Sequence, residues 1–191
     1  MRYCLLAFAA MAFLVSPLQA RGAEESANYF VLKAGGLFPT DDLEDLGFDA
    51  GFNGEMAVGH YLNRYFSLEL GSGYFRTETD EDGADSTVWT VPLTVTARGS
   101  YTLGRLEAYA GLGGGVYFVH FDFSGAPAVK DRDALAGGHV MAGAHYFLTD
   151  YVFMGVEGKY TLTEEADLDD AIPLELNING FTASATLGFR F

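Results

Sequence analysis

Eight antiparallel strands closed into an up-and-down transmembrane β-barrel are the all-β fold that the 191-residue sequence predicts. Three observations carry this. Residues 179–191 alternate strictly: Phe181, Ala183, Ala185, Leu187, Phe189 and Phe191 are apolar, while Gly180, Thr182, Ser184, Thr186, Gly188 and Arg190 are small or polar. A strand turns successive side chains to opposite faces, so this stretch has two unlike faces. Seven earlier stretches alternate in the same way, joined by short turns and long loops in strict succession. Finally, the face opposite the apolar one is mostly Gly, Ser, Thr and Ala with a few balanced charges, which suits the narrow interior of an eight-stranded barrel.

The first residues read as a leader. Met1-Arg2 precedes an apolar run over residues 3–15 and then Ser16-Pro17-Leu18-Gln19-Ala20, the succession of a cleaved secretory signal peptide. We expect residues 1–20 to be removed, with Ala23 as the other cleavage position. Residues 21–27 then form a short lead-in, and residues 28–191 one barrel domain. The apolar run falls short of the about 20 residues of a membrane helix. The single cysteine, Cys4, lies in the leader, so the mature chain has no disulfide, thiolate metal site or cysteine nucleophile. A net charge of −15 argues against nucleic acid, whose binding rests on Lys and Arg meeting phosphates. No later apolar run reaches the about 18 residues that mark a membrane helix. Membrane strands remain, because their apolar residues occupy every second position.

The first strand is expected at residues 29–38, with Phe30, Leu32, Ala34 and Phe38 opposite Tyr29, Val31 and Lys33; Pro39 ends it. After an acidic loop at 40–50, residues 51–61 set Phe52, Met56 and Val58 against Asn53, Glu55 and Ala57. A short turn at 62–64 leads to residues 65–76, where Phe66, Leu68, Leu70 and Tyr74 oppose Ser67, Glu69 and Gly71. A second acidic loop covers 77–86. Residues 87–99 carry Trp89, Val91, Leu93 and Val95 opposite Thr90, Pro92, Thr94, Thr96 and Arg98. Pro92 is awkward there, since proline has no N–H for a ladder. After a turn at 100–105, residues 106–121 set Ala108, Leu112, Val116 and Phe118 against Glu107, Tyr109 and Tyr117. The third loop, 122–136, holds Lys130 and Arg132. Residues 137–148 oppose Val140, Ala142 and Tyr146 to His139, Met141 and His145, and Thr149-Asp150 turns the chain into residues 151–163. There Val152, Met154, Val156 and Tyr160 oppose Phe153, Glu157 and Lys159, and the last loop, 164–177, leads into the final strand. All long loops therefore fall at one end.

A soluble barrel of lipocalin type would turn the apolar face inward around a ligand, and a membrane barrel would turn it outward to lipid. A wall facing water would carry many charges. Here the polar face has only Glu55, Glu69, Glu107 and Glu157 against Lys33, Arg98, Lys159 and Arg190, a set able to pair inside a lumen as a structural network. With strands three and four paired about Gly83, Glu69 is expected level with Arg98, and strand five brings Glu107 diagonal to it. The apolar face carries aromatics near strand ends, among them Phe30, Phe38, Phe66, Tyr74, Trp89, Phe118, Tyr160, Phe181 and Phe189, as girdles at two membrane interfaces require.

Leu187, Phe189 and the terminal Phe191 at alternate positions resemble the closing strand of the small outer-membrane β-barrel family related to the OmpA membrane domain and OmpX. The strands Glu69-Leu70-Gly71-Ser72-Gly73-Tyr74, Val91-Pro92-Leu93-Thr94-Val95 and Gly155-Val156-Glu157-Gly158-Lys159-Tyr160 are similar to that family too. The resemblance implies a cell outer membrane location, residues 21–27 in the periplasm, and lipopolysaccharide among the surrounding lipids. It also implies that the assembly machinery reads Leu187, Phe189 and Phe191. Pro92 sits where several relatives carry proline.

Candidate chemistry is sparse. His139 and His145 share a face but stand about 20 Å apart at roughly 3.3 Å per residue, too far to share a metal, and His60 and His120 lie at strand ends. A lipid A-modifying enzyme would need a Ser or His nucleophile system at the rim, and no His–Ser pair occupies adjacent positions on one face. The stretch Asp80-Glu81-Asp82-Gly83-Ala84-Asp85 lacks the full ligand series of a calcium loop. No cofactor, metal site or catalytic residue is expected. Nineteen of the 26 acids fall in the four long loops, a surface suited to divalent cations or basic ligands, or simply to solubility. The expected role is structural or surface interaction, with the lumen plugged. The alternative is a small passive channel for cations or small apolar solutes, and catalysis on lipid A is the least favoured reading.

Overall fold

The computed structural model describes residues 28–40, 49–79, 86–123, 129–164, 166–167, 175–176 and 178–191. The expected leader and lead-in, the Asp80–Asp85 stretch and most of the loop acids lie outside the described residues. Eight strands form the barrel: β1 (Asn28–Pro39), β2 (Gly51–Tyr61), β3 (Phe66–Thr79), β4 (Ser86–Leu103), β5 (Leu106–Phe123), β6 (Val129–Phe147), β7 (Val152–Thr163) and β8 (Gly180–Arg190). Each pairs antiparallel with its neighbour in sequence, and β1 with β8 closes the cylinder. The two-residue strands Ala166–Asp167 and Glu175–Leu176 pair with each other beyond β7.

Burial is inverted relative to a water-soluble protein. Leu112 is 68% and Val156 64% exposed, whereas Arg98 and Glu107 are each 1% exposed. Apolar surface on this scale is stable only against lipid, and the charged residues form the interior. Of the aromatic side chains assigned to the outer face, Phe38, Phe66, Tyr74, Phe118, Phe181 and Phe189 are exposed, and Phe30, Trp89 and Tyr160 are half-buried.

Five strands run beyond their expected bounds, β1 by one residue at each end and β3 to β6 by more. β3 extends to Thr79 and β4 to Leu103, so the turn after β4 shrinks to Gly104-Arg105 with Gly104 at φ 63°, the left-handed region that favours glycine. β5 and β6 pair as far out as Phe123 and Val129, so the expected third loop contracts to residues 124–128. Lys130 and Arg132, expected in that loop, belong to β6. A hairpin standing above a bilayer keeps its ladder without needing an apolar face, so alternation does not mark this part.

Pro92 leaves a gap. The β3–β4 register runs from Phe66↔Gly99 to Ser72↔Leu93 and resumes at Phe75↔Thr90, omitting the two pairs that would join Gly73 and Tyr74 to Pro92 and Val91. The Ser72 hydroxyl donates to the Pro92 carbonyl at 2.9 Å, so that carbonyl faces β3, as an N–H at the same residue would. On the β5 side the ladder is continuous, with Pro92 opposite Tyr117.

Inside, two apolar clusters stand at opposite ends. Leu37, Phe75, Val88, Tyr117, Val119, Leu135 and Ile178 pack near the long loops, and Tyr29, Val31, Ala57, Tyr61, Phe147 and Phe153 near the short turns. Inward glycines make room for the large rings. A Cβ on Gly59 would overlap Cζ of Tyr29, and one on Gly143 would lie 2.5 Å from the Tyr109 hydroxyl oxygen. Ring and glycine face each other across neighbouring strands, which is how so narrow a cylinder holds tyrosines.

Candidate functional site

The strongest constellation in the molecule is the charged interior. Alternation fixes which residues enter it: Lys33 on β1, Glu55 on β2, Glu69 on β3, Arg98 on β4, Glu107 on β5, and Glu157 and Lys159 on β7, all at most 8% exposed. At the centre, Lys33 Nζ donates to Glu69 Oε1 at 2.9 Å and to both oxygens of Glu157 at 2.9 and 3.0 Å, tying three strands together across the lumen. Arg98 Nη1 donates to Glu69 Oε2 at 2.9 Å and to the Tyr29 hydroxyl at 2.8 Å, and its guanidinium lies 3.8 Å from the Tyr109 ring centre. Toward the long loops, Lys159 Nζ donates to Glu55 Oε1 at 2.6 Å.

A second group lies near the short turns around Glu107. Its carboxylate accepts from the Tyr61 hydroxyl at 2.9 and 3.0 Å. His145 Nδ1 is 3.7 Å away, and Arg98 Nη2 and Arg190 Nη2 are each 3.6 Å away. Arg190, with its side chain 33% exposed, lies at the rim, its guanidinium 4.8 Å from the Tyr61 ring centre and 4.7 Å from that of Phe147. Charges in a dry interior persist only when paired and hydrogen-bonded, and each of these four carboxylates meets a cation.

The register departs from the sequence expectation. Glu69 is opposite Thr96 and Arg98 opposite Ser67, two residues from the expected level on a ladder centred between residues 82 and 83. The length of the arginine side chain spans the difference. Glu107 faces Thr102 while Arg98 faces Gly111, four positions apart along the ladder and not diagonal. Glu157 and Lys159 both point inward, yet each takes its partner from another strand.

The tyrosines were missed by the sequence reading. Tyr29 donates to Glu69, Tyr61 to Glu107 and Tyr109 to Glu157, supplying hydroxyl donors beside the ammonium and guanidinium groups. Their positions on the polar face of alternating strands were the available signal. His139 Nε2 is 2.8 Å from the Thr96 hydroxyl, while its Nδ1 has no hydrogen-bond partner; without a third group to orient the ring, the pair lacks the geometry of a nucleophile and its base. Among the described residues, no three His, Cys, Asp or Glu side chains converge as metal ligands.

Leu187, Phe189 and Phe191 lie on the outer surface, 55%, 47% and 51% exposed. Phe189 meets Phe30 at 5.7 Å between ring centres and Phe191 at 5.5 Å. Asn28 and Phe191 exchange both backbone hydrogen bonds at 2.8 Å, so the last residue completes the seam.

A sequence model of the outer membrane protein beta-barrel domain matches residues 5–191. The chain belongs to that family. Comparison with curated proteins finds no match. Among solved structures, this outer-membrane barrel is similar to the Neisserial surface protein A, NspA, with TM-score 0.61 and 16% identity over 87% of this chain and 98% of that one. OprG of Pseudomonas aeruginosa gives TM-score 0.60 and 13% identity over 87% and 97%. Ail, the attachment invasion locus protein of Yersinia pestis, gives TM-score 0.59 and 14% identity over 87% and 99%, in a complex with the heparin analogue sucrose octasulfate. At such identities the likeness is one of fold. Family membership sets the eight strands in the cell outer membrane, and in such barrels the short turns face the periplasm and the long loops the exterior.

Proposed function

We propose that this outer-membrane barrel is a non-conducting protein whose work is done at its outer surface, with the lumen serving as a structural plug. The observation that carries the reading is the hub at Lys33, whose ammonium holds Glu69 and Glu157 from opposite parts of the wall at 2.9 Å. Ions entering the lumen would have to part that hub, and removing one partner of a buried pair costs about 3–5 kcal/mol. The apolar cluster around Phe75, Tyr117 and Ile178 supports the same reading at the outer end. The acidic loops, read from the sequence alone, supply the surface that would meet divalent cations or basic ligands. No catalytic role is proposed, since the buried His139–Thr96 pair has no orienting group.

Planar-bilayer recording tests the plug. The wild-type barrel is expected to give no stable open level, whereas Lys33→Met is expected to give transient openings. Sustained wild-type conductance, or uptake of small cations or apolar solutes into liposomes, would replace the plug by the channel reading.

A further inference from the structure

A groove of about 480 Å³ opens in the outer wall near the short turns. Its floor is Gly99 on β4 with Ala108 and Ala110 on β5, and Tyr65, Phe66 and Tyr101 stand around it. The register explains the shape. Gly99 pairs with Phe66 on one side and Ala110 on the other, and Tyr101 pairs with Ala108. Small residues thus meet on neighbouring strands between two rings, Phe66 57% and Tyr101 66% exposed. A Cβ added at Gly99 would find nothing nearer than 3.9 Å, so the floor is open to the membrane.

The lip beside β3 is fixed and charged. Asn63 Oδ1 accepts from the backbone N–H of Tyr65 at 2.8 Å and from that of Phe66 at 3.0 Å, which holds the turn. The exposed Arg64 guanidinium lies 4.5 Å from the Tyr65 ring centre. Arg105 occupies the β4–β5 turn beyond the floor, its Nη1 3.5 Å from the Leu148 carbonyl oxygen. Residues 57–71 and 97–111, which border the groove, contain two acids, Glu69 and Glu107, and both are buried in the lumen. An exposed acid at this end, Asp150, belongs to the β6–β7 turn. In a chain of net charge −15, the sector around the groove is a local positive exception.

We infer that this groove holds one anionic glycerophospholipid of the periplasmic leaflet, with an acyl chain on Gly99, Ala108 and Ala110 and the phosphate on Arg64. An unbranched chain lies closely on a floor that has no bulky side chains, and each added close contact contributes dispersion energy. Tyrosines such as Tyr65 and Tyr101 sit at the junction of acyl chains and headgroups. Guanidinium groups take phosphate oxygens in charge-assisted hydrogen bonds, and basic pockets beside membrane-spanning elements select anionic headgroups. A soluble anion would use only the charged half of the site, and a neutral lipid only the apolar half. The inference rests on the family's placement of the short turns in the periplasm and is independent of whether the lumen conducts.

Native mass spectrometry counts the bound lipid, and amide shifts in micelles locate it. The full barrel in neutral detergent is titrated with dimyristoyl phosphatidylglycerol, with dimyristoylglycerol, which lacks the phosphate, and with glycerol phosphate, which lacks the chains. One phosphatidylglycerol per barrel is expected, with saturable shifts at the amides of Gly99, Ala108 and Ala110, and neither fragment is expected to match it. Arg64→Gln is expected to weaken retention about tenfold, as for loss of one charge-assisted contact. Gly99→Leu would fill the floor while facing lipid as its neighbours do, and is expected to weaken retention at least as much. Ala110→Leu serves if that variant does not fold, judged by heat-modifiable migration. Arg76→Gln at the other end is expected to change nothing. Equal retention of dimyristoylglycerol, shifts of equal size around the whole short-turn end, a second barrel bound in place of the lipid, or unchanged affinity in Arg64→Gln or in the floor variants would overturn the assignment.

Discussion

Tyr29 and Gly59 face each other across β1 and β2, and the tyrosine ring occupies the space that a side chain at Gly59 would need. The ring cannot yield, because it is fully buried, packs on Tyr61 at 5.2 Å, and its hydroxyl is held by Glu69 and Arg98. Gly59→Ala is therefore expected to destabilise the barrel by about 1–3 kcal/mol through overpacking. Gly99→Ala, where an added Cβ would find nothing nearer than 3.9 Å, is expected to be near neutral. Urea unfolding in micelles, followed by heat-modifiable migration, checks both; equal effects would contradict the packing argument.

Lys33→Met leaves Glu69 and Glu157 facing each other without their shared cation. The expected loss is about 3–5 kcal/mol, and adding Glu157→Gln should recover part of it, since one orphaned charge is removed. The double-mutant cycle is read from unfolding midpoints in the same micelles. Strict additivity of the two substitutions would mean that they are not coupled.

Pro92 withholds one N–H from the β3–β4 ladder, and the Ser72 hydroxyl takes over its carbonyl. Pro92→Val is expected to restore the missing bond and raise stability by about 0.5–1.5 kcal/mol. Ser72→Ala should cost more in the proline background than in the valine one. Amide hydrogen exchange at Gly73 and Tyr74 is the direct readout, and unchanged exchange in Pro92→Val would show that the gap has another cause.

Phe191 contributes both its ring on the outer surface and two backbone hydrogen bonds to Asn28. Deleting it removes both, whereas Phe191→Ala removes only the ring. If the assembly machinery reads the aromatic terminus, both variants should accumulate outside the outer membrane. If seam closure is what matters, only the deletion should. Fractionation of membranes from expressing cells separates the two, and normal insertion of both variants would exclude either role.

The faces of the strands were legible because lipid imposes a sharp period of two: Phe66, Leu68 and Leu70 against Ser67 and Glu69 admit one reading. Strand ends were not, since β5 and β6 continue past Phe118 and Ala136 into water, where no apolar face is needed. Which acid meets which base was only partly legible. Lys33, Glu69 and Arg98 could be gathered in the lumen from their parity, but their levels depend on the residues spent in each loop, and the β3–β4 connection is shorter than its composition suggests. The tyrosines escaped notice because, in membrane strands, Tyr is read first as an interfacial residue. Tyr29, Tyr61 and Tyr109 show the other use, a ring that fills the cylinder and a hydroxyl that satisfies a carboxylate.

The seam between β1 and β8 pairs Tyr29 with Arg190, whereas every other strand pair joins neighbours in the chain. Hairpins can form from local sequence on a microsecond scale, but this one pairing requires nearly the whole chain to return on itself, a loop-closure cost met only at the end. Until then the growing sheet carries two unpaired edges with lipid-facing side chains uncovered, the condition under which strands add to other molecules. The longer that open sheet lasts, the longer its edges can add to other molecules before the cylinder closes.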